Sequence, residues 1–224
     1  SYGTTHTITY PGGGEPTVLT GYEHVIEHTV DLGFLTSLTT NGTKLHKLLN
    51  NVDPTKLKKI AWIGVDIDAG SESLYEEIRH SLGSSSWFNQ VKENVRTATE
   101  MGLNIDLKCL VNPYNDNIKA VDDLFQYAKD VNARNLHIRP VIYNNKAHNI
   151  TTDYRSWCSQ ASKKTGVQYS INTSKSEPRK YYKCHQMYHF PVFCADGYIY
   201  LCCDNKGNEQ FALCRWDNRD FRDD

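Results

Sequence analysis

Short β-rich runs alternate with amphipathic stretches over most of the chain. The strand-like runs occupy residues 6–10, 34–39, 61–67, 103–111, 136–141 and 167–172. Apolar residues recur at helical spacing over residues 19–31, 43–51, 71–79, 87–101, 117–131 and 152–164. Because strands and helices alternate, we expect a largely parallel sheet or barrel whose crossovers are right-handed.

The pattern changes after about residue 175, where short strands, aromatic residues and cysteines replace the βα alternation. Asp196-Gly197 lies between two apolar runs and predicts a tight β-hairpin turn. We expect this hairpin to bring Cys194 to face Cys202 and Cys203. The sequence therefore predicts two domains, residues 1–175 and 176–224.

Composition limits the classes of function. The 224 residues carry a net charge of -1, so no overall field draws the chain to nucleic acid or to anionic lipid. No apolar run approaches the ~20 residues that a membrane span requires. Residues 1–20 show no signal-peptide pattern. We expect a soluble, cytoplasmic protein, with nucleic acid not indicated and no membrane.

The first strand ends in a glycine-rich loop, YPGGGEP at residues 10–16. Consecutive glycines let the backbone approach a ligand closely and expose its polar groups. Glu15 adds an acceptor suited to a cationic amine. A tight turn between strand and helix is the alternative interpretation. A phosphate loop fits less well, since no Gly-Lys-Ser/Thr follows.

Four further motifs lie at or just past later strands. They are SLTTNG at residues 37–42, VDIDAGSESLYEEIR at 65–79, LKCLVNPYN at 107–115 and HIRPV at 137–141. With YPGGGEP, this succession resembles the core of radical S-adenosylmethionine (radical SAM) enzymes over roughly residues 5–142. The resemblance implies an α/β fold, a partial (β/α)6 barrel of parallel strands whose first βα unit is absent. A small Cys-rich β extension follows at the C-terminus.

The resemblance also implies roles for residues at the strand ends. Gly13, Gly14 and Glu15 would hold the methionine amino group of S-adenosylmethionine, and Asn41 would lie near its ribose. Arg79 would face the methionine carboxylate, for which a guanidinium fork is well shaped. Asn112 and Arg139 would lie near the adenine or the substrate.

Two acidic residues depart from the family pattern. Asp66 stands where many relatives have a small hydroxyl residue, and its carboxylate would repel that of the cofactor but could accept from a ribose hydroxyl. Asp68 is a second candidate for a cofactor role. Turn and helix-entry chemistry is the alternative for both residues.

The family holds its catalytic [4Fe-4S] cluster through a CxxxCxxC loop upstream of the glycine loop, and no cysteine occurs here before Cys109. Either the chain begins inside a longer protein or it is a relative without that loop. In the family, the reduced cluster cleaves S-adenosylmethionine to a 5′-deoxyadenosyl radical, which abstracts a substrate hydrogen. The substrate would be a peptide or a small polar molecule such as a sugar, and a reductase is a possible partner.

The C-terminal region holds five of the seven cysteines. The spacing C-x12-G-x4-C, from Cys184 through Gly197 to Cys202, resembles the SPASM and twitch extensions of radical SAM enzymes. That match implies an auxiliary [4Fe-4S] cluster on Cys184 and Cys202, completed by Cys214 and either Cys194 or Cys203. Zinc is the competing metal, with His185 and His189 as further ligands. Structural thiols are the third interpretation.

Two other classes of protein remain open. One is a catalytically inactive radical SAM-like subunit that binds or supports other molecules, with a zinc- or Fe-S-stabilised tail. The other is a zinc-stabilised domain with a different ligand at the strand ends. His24 and His28 share one helical face, but they lack a third ligand, so we expect solvent-facing imidazoles there.

Overall fold

The computed structural model describes residues 5–12, 14–79, 87–143, 146–172 and 191–216. The chain divides into two compact units, Ser1–Lys175 and Ser176–Asp224.

Unit 1 is built on a sheet of six parallel strands in the order β1-β2-β3-β4-β5-β8. Their bounds are β1 Thr7–Tyr10, β2 Leu35–Thr40, β3 Ile60–Asp66, β4 Ile105–Val111, β5 Asn135–Pro140 and β8 Tyr169–Ile171. A two-stranded antiparallel hairpin, β6 Ile142–Tyr143 and β7 Lys146–Ala147, follows β5. Neighbours in the sheet follow chain order, so the predicted α/β fold with a partial barrel of parallel strands is confirmed.

Helices connect the strands and cover one face of the sheet. They are α1 Tyr22–Asp31, α2 Leu45–Asn51, α3 Pro54–Leu57, α4 Glu72–Arg79, α5 Trp87–Glu100, α6 Ile118–Asp130 and α7 Tyr154–Thr165. The first helix begins later than residue 19, because a 3-10 turn over Pro16–Val18 comes first and Gly21, at φ 79°, forms the N-cap. Asn117 caps α6 by accepting from the N–H of Ala120.

The two faces of the sheet differ in chemistry. Leu38, Ile63, Val65, Leu107 and Ile138 are almost fully buried and form one core cluster with the helices. The opposite side, here the polar face, carries Ser37, Thr39, Trp62, Asp66, Asp106, Lys108 and His137. Side chains of these strands alternate between the two faces.

Contacts across the strands define the polar face. Ser37 Oγ donates to Thr9 Oγ1 at 2.9 Å, and Arg134 makes a bidentate pair with the buried carboxylate of Asp106 at 2.8 and 2.6 Å. His137 lies between Asp106, at 3.4 Å, and Ser170, at 2.8 Å. Asp106 is the second residue of β4, so this network lies at the amino end of the strands, the end that usually serves stability in such folds.

Unit 2 contains a three-stranded antiparallel sheet, β9 Val192–Phe193, β10 Tyr198–Tyr200 and β11 Ala212–Arg215. The predicted hairpin is confirmed, with Gly197 at φ 88° in its turn. The prediction that Cys194 faces Cys202 and Cys203 is wrong. Phe193 pairs with Ile199 and the N–H of Cys194 bonds Tyr198 O, so the short turn places Cys202 and Cys203 beyond the paired residues.

Within the described residues, no helix is both long and apolar enough to cross a membrane.

Candidate functional site

The glycine loop follows β1 at the carboxyl edge of the sheet. Gly12 has φ 84°, and a Cβ there would lie 2.9 Å from Gly14 O, so this turn requires glycine. Gly14 is exposed, and a Cβ at that position would have nothing within 4 Å. Gly13 lies outside the described residues. The loop therefore offers open backbone next to Glu15.

Glu15 is held by four hydrogen bonds from three residues. Its Oε1 accepts from Thr17 N at 3.0 Å, Thr17 Oγ1 at 2.6 Å and Thr40 Oγ1 at 2.7 Å. Its Oε2 accepts from the backbone N–H of Asn41 at 2.6 Å. Since each carboxylate oxygen has two acceptor sites, Oε2 keeps capacity for a further donor.

The loop after β2 is held in a fixed turn. Asn41 Oδ1 accepts from Thr43 N at 3.0 Å and from Thr43 Oγ1 at 2.7 Å. Gly42 has φ 79°, and a Cβ there would lie 2.9 Å from Val65 Cγ1. The buried Asn94 of α5 donates to Gly42 O at 2.8 Å. The turn is therefore fixed both by local bonds and by a residue distant in sequence.

The end of β3 carries an ion pair. Arg79 Nη2 lies 2.9 Å from Asp68 Oδ2 and donates to Asp66 O at 3.1 Å. Burial raises the pKa of the Asp66 carboxyl, while the charges of Lys108 and Arg79 act in the opposite direction. Asp68 also accepts from Leu110 N at 2.9 Å, so its carboxylate bridges the ends of β3 and β4.

The loop after β4 is tied to β3 by asparagines. Asn112 Oδ1 accepts from Tyr114 N at 2.9 Å, which forms a local turn. The buried Asn115 donates to Asp68 O at 2.8 Å and accepts from Asn112 N at 2.8 Å. Asn112 thus shapes the loop. Arg139, the fifth residue of β5, is exposed.

The structure brings five of the nine predicted cofactor residues together in two groups. Glu15 and Asn41 are in contact, and Asp66, Asp68 and Arg79 form the second group. The charge of Glu15 acts on Asp66, so the groups lie within electrostatic range of each other. The roles of these residues toward a ligand stay predictions.

Several residues of the site were not among the sequence candidates. Thr40 and Asn94 hold the two loops, Asn115 links two strand ends, and Lys108 crosses the polar face to Thr39 at 2.6 Å. A signal for the polar face exists in the sequence: two charged residues stand two positions apart in β4, at Asp106 and Lys108, between apolar neighbours.

The candidate ligand-binding groups of unit 1 suit S-adenosylmethionine better than an iron–sulfur cluster. The Glu15 carboxylate and the open glycine backbone fit the ammonium end of S-adenosylmethionine. The described cysteines of this unit, Cys109 and Cys158, are buried in the core, and burial raises both of their pKa values. They do not fit as thiolate ligands of a cluster beside Glu15.

The predicted metal ligands of the tail lie only partly within the described residues. Cys194, Cys202 and Cys214 are half-buried and Cys203 is exposed. Cys184, His185 and His189 lie outside the described residues. Among the residues with described positions, no three His, Cys, Asp or Glu side chains are grouped so as to hold a metal ion. The tail metal site stays a prediction. His24 and His28 are exposed, as expected.

No protein-family model and no curated protein sequence matches the chain. Solved structures do. SuiB of Streptococcus suis bound to S-adenosylmethionine matches with a TM-score of 0.65 at 14% identity, over 92% of this chain and 51% of that one. This chain therefore spans about half the length of SuiB.

Two further matches come from the same class of enzyme. A domain of pyruvate-formate lyase-activating enzyme from Bacteroides vulgatus gives a TM-score of 0.57 at 12% identity, over 74% of this chain and 98% of that one. The enzyme anSMEcpe, with bound AdoMet and a peptide, gives 0.55 at 16% identity, over 94% and 64%. The chain has the fold of radical SAM enzymes.

Proposed function

We propose that this chain binds S-adenosylmethionine at the strand ends around Glu15, as the cofactor-binding part of a radical enzyme that modifies a peptide. The observation that carries the proposal is the fixed Glu15 carboxylate, which lies beside an open glycine backbone and keeps acceptor capacity at Oε2. A cationic amine is the ligand group that such an acceptor favours.

The fold supports the choice of cofactor. The SuiB structure, which covers 92% of this chain, contains S-adenosylmethionine, and so does anSMEcpe. A peptide is the favoured substrate class because SuiB has been solved with its precursor peptide and anSMEcpe with a Kp18Cys peptide. The tail cysteines would add an auxiliary iron–sulfur cluster of SPASM or twitch type, with zinc as the alternative.

Calorimetric titration of the chain with S-adenosylmethionine tests the proposal. Glu15→Gln keeps the size of the side chain and removes the negative charge, so we expect affinity to fall about 10- to 100-fold. Glu93→Gln is the matched control, because Glu93 is an exposed residue of α5 whose ion pair is with Arg96. No binding by the unaltered chain, or equal affinity in the Glu15 variant, would overturn the proposal.

A second candidate is a binding subunit that makes no radical. The burial of Cys109 and Cys158 in the core favours it, because these two described cysteines of unit 1 do not fit as ligands of a cluster beside Glu15. The two candidates differ in product. Anaerobic reconstitution of the complete protein with iron and sulfide, followed by addition of S-adenosylmethionine and a chemical reductant, yields 5′-deoxyadenosine from a radical enzyme and none from a binding subunit.

A further inference from the structure

The turn after β2 contains the dipeptide Asn41-Gly42, the single Asn-Gly pair in the sequence. The backbone nitrogen that follows an asparagine can attack the Cγ of its side chain and close a five-membered ring. Glycine hinders this attack least, because it has no Cβ beside the attacking nitrogen. The turn therefore carries the position at which the chain is chemically best suited to modify itself.

The modification consumes water and releases ammonia, so it needs no further reagent. The nitrogen of Gly42 bonds to Cγ of Asn41 and gives its proton to a base in the solvent, while the side-chain nitrogen takes a proton from water and leaves as ammonia. Water then opens the resulting succinimide at one of its two carbonyl carbons. Opening at Cγ yields aspartate, and opening at the backbone carbonyl yields isoaspartate, in which the chain continues through the side chain.

In the folded turn, both reacting groups are engaged in other hydrogen bonds. The nitrogen of Gly42 donates to Thr40 Oγ1 at 3.1 Å. Asn41 Oδ1 accepts from the N–H and the hydroxyl of Thr43, at 3.0 and 2.7 Å. The Thr40 hydroxyl in turn donates to Glu15 Oε1 at 2.7 Å. The bonds that fix Glu15 therefore extend, through Thr40, to the nitrogen that would attack.

Packing around Gly42 opposes the movement that ring closure requires. The nitrogen and Cγ must come into an attack geometry, which rotates the peptide group between Asn41 and Gly42. Gly42 is buried, and a Cβ on it would lie 2.9 Å from Val65 Cγ1 and 3.0 Å from Val91 Cγ1. Its carbonyl oxygen accepts from the buried Asn94 at 2.8 Å. The peptide group can therefore rotate only when the turn opens.

A new negative charge at this turn would lie next to a carboxylate. The backbone N–H of Asn41 donates to Glu15 Oε2 at 2.6 Å, so either product carries its carboxylate on the residue that contacts Glu15. Like charges this close repel each other, which disfavours closure of the modified turn. We propose that Asn41 is a deamidation site that the closed turn protects and that local opening of the turn exposes. No ligand takes part in the reaction, so it is independent of the proposed function.

The first test compares the folded and the unfolded chain. The full chain is incubated at one pH and temperature, with and without guanidinium chloride, and its proteolytic peptides are separated by chromatography and analysed by mass spectrometry. In the unfolded chain Asn41 should be modified faster than Asn117, which precedes the β-branched Ile118. Folding should slow the reaction at Asn41 by at least about 10-fold. Equal rates in the two states overturn the protection, and no reaction at Asn41 in the unfolded chain overturns the site.

The second test removes single bonds of the turn under native conditions. Thr40→Val keeps the size of the side chain but deletes the acceptor of the Gly42 nitrogen, so the reaction at Asn41 should accelerate about 5- to 100-fold. Thr43→Val should act in the same direction. Gly33→Ala is the control, because it strains the chain just before β2 without touching the turn. Unchanged rates in both threonine variants, or an equal acceleration in Gly33→Ala, overturn local protection by the turn.

Discussion

The backbone N–H of Asn41 donates to Oε2 of Glu15 at 2.6 Å, which ties the turn after β2 to the glycine loop after β1. Thr40 adds a second link through its hydroxyl, at 2.7 Å from Oε1. Glu15, which the family resemblance assigns to a ligand, therefore also links two strand ends. We call its hydrogen bonds with Thr17, Thr40 and Asn41 the clamp on Glu15. Different substitutions test this structural role and the proposed role toward the ligand.

Glu15→Ala should lower the free energy of unfolding by about 1–3 kcal/mol, because the donors of Thr17, Thr40 and Asn41 lose their acceptor. Urea denaturation measures the change. Glu93→Ala, on the exposed face of α5, should change the same quantity by less than about 0.5 kcal/mol. Equal stability of the two variants would show that the clamp contributes nothing.

Gly42→Ala should destabilise the protein more than Gly33→Ala. Both glycines have positive φ, at 79° and 84°, so each substitution carries a backbone cost of roughly 1–2 kcal/mol. Only the Gly42 variant adds an overlap, with Val65 Cγ1 at 2.9 Å, whereas a Cβ at Gly33 meets nothing within 4 Å. The overlap should add about 1–3 kcal/mol. Thermal unfolding of both variants measures the difference, and equal melting temperatures would contradict it.

Asp68→Asn should cost more stability than Asp123→Asn. Asp68 is 12% exposed and pairs with Arg79 at 2.9 Å, and losing one partner of a largely buried pair leaves a poorly compensated charge. Asp123 pairs with the exposed Lys119, an interaction worth less than about 1 kcal/mol. Denaturant titration at low and high salt separates the cases, since salt should screen the Asp123 pair more. A larger loss in the Asp123 variant would contradict the assignment.

Asp66→Asn should stabilise the fold at pH 7, and the gain should shrink as the pH falls. Burial raises the pKa of Asp66 above 3.8, the ordinary pKa of an aspartate in the unfolded chain. The folded state therefore disfavours the ionised form of Asp66 relative to the unfolded state. As the pH falls through the raised pKa toward 3.8, the folded carboxyl becomes neutral and the penalty disappears. Urea titrations at pH 7 and near pH 4 measure this difference. A gain that grows on acidification would contradict the burial effect.

Anaerobic purification followed by iron, sulfide and zinc analysis examines the tail. If an auxiliary cluster is bound, Cys202→Ala should lose iron and sulfide, while Cys158→Ala should retain them because Cys158 is buried in unit 1. Zinc in place of iron would contradict the cluster and favour the competing metal.

Local patterns predicted the elements of unit 1 well. Strands β1 and β4 end just before Pro11 and Asn112, and α6 begins after the cap of Asn117, all features that neighbouring residues determine. The start of α1 was misplaced because Glu15 and Pro16 begin a 3-10 turn. In unit 2 the hairpin was predicted correctly. Its strand register depends on the geometry of the turn, and the sequence pattern did not specify that geometry. The predicted positions of Cys202 and Cys203 relative to Cys194 were therefore wrong.

The candidate site was less accessible from sequence because its contacts are long-range. Lys108 donates a hydrogen bond to Thr39, which is 69 residues away in the sequence, and Asn94 donates one to Gly42, which is 52 residues away. Arg79 could be read as a ligand-binding cation from its motif alone. Its pairing with Asp68 depends on how α4 returns over the end of β3, which no local pattern encodes.

The clamp on Glu15 has a further consequence, for the entropy of binding. A free glutamate side chain samples many rotamers, and fixing it costs up to about 1.5–2 kcal/mol. Here the bonds from Thr17, Thr40 and Asn41 complete that ordering during folding. A ligand ammonium would meet an acceptor that is already aimed, so more of the contact energy would appear as affinity.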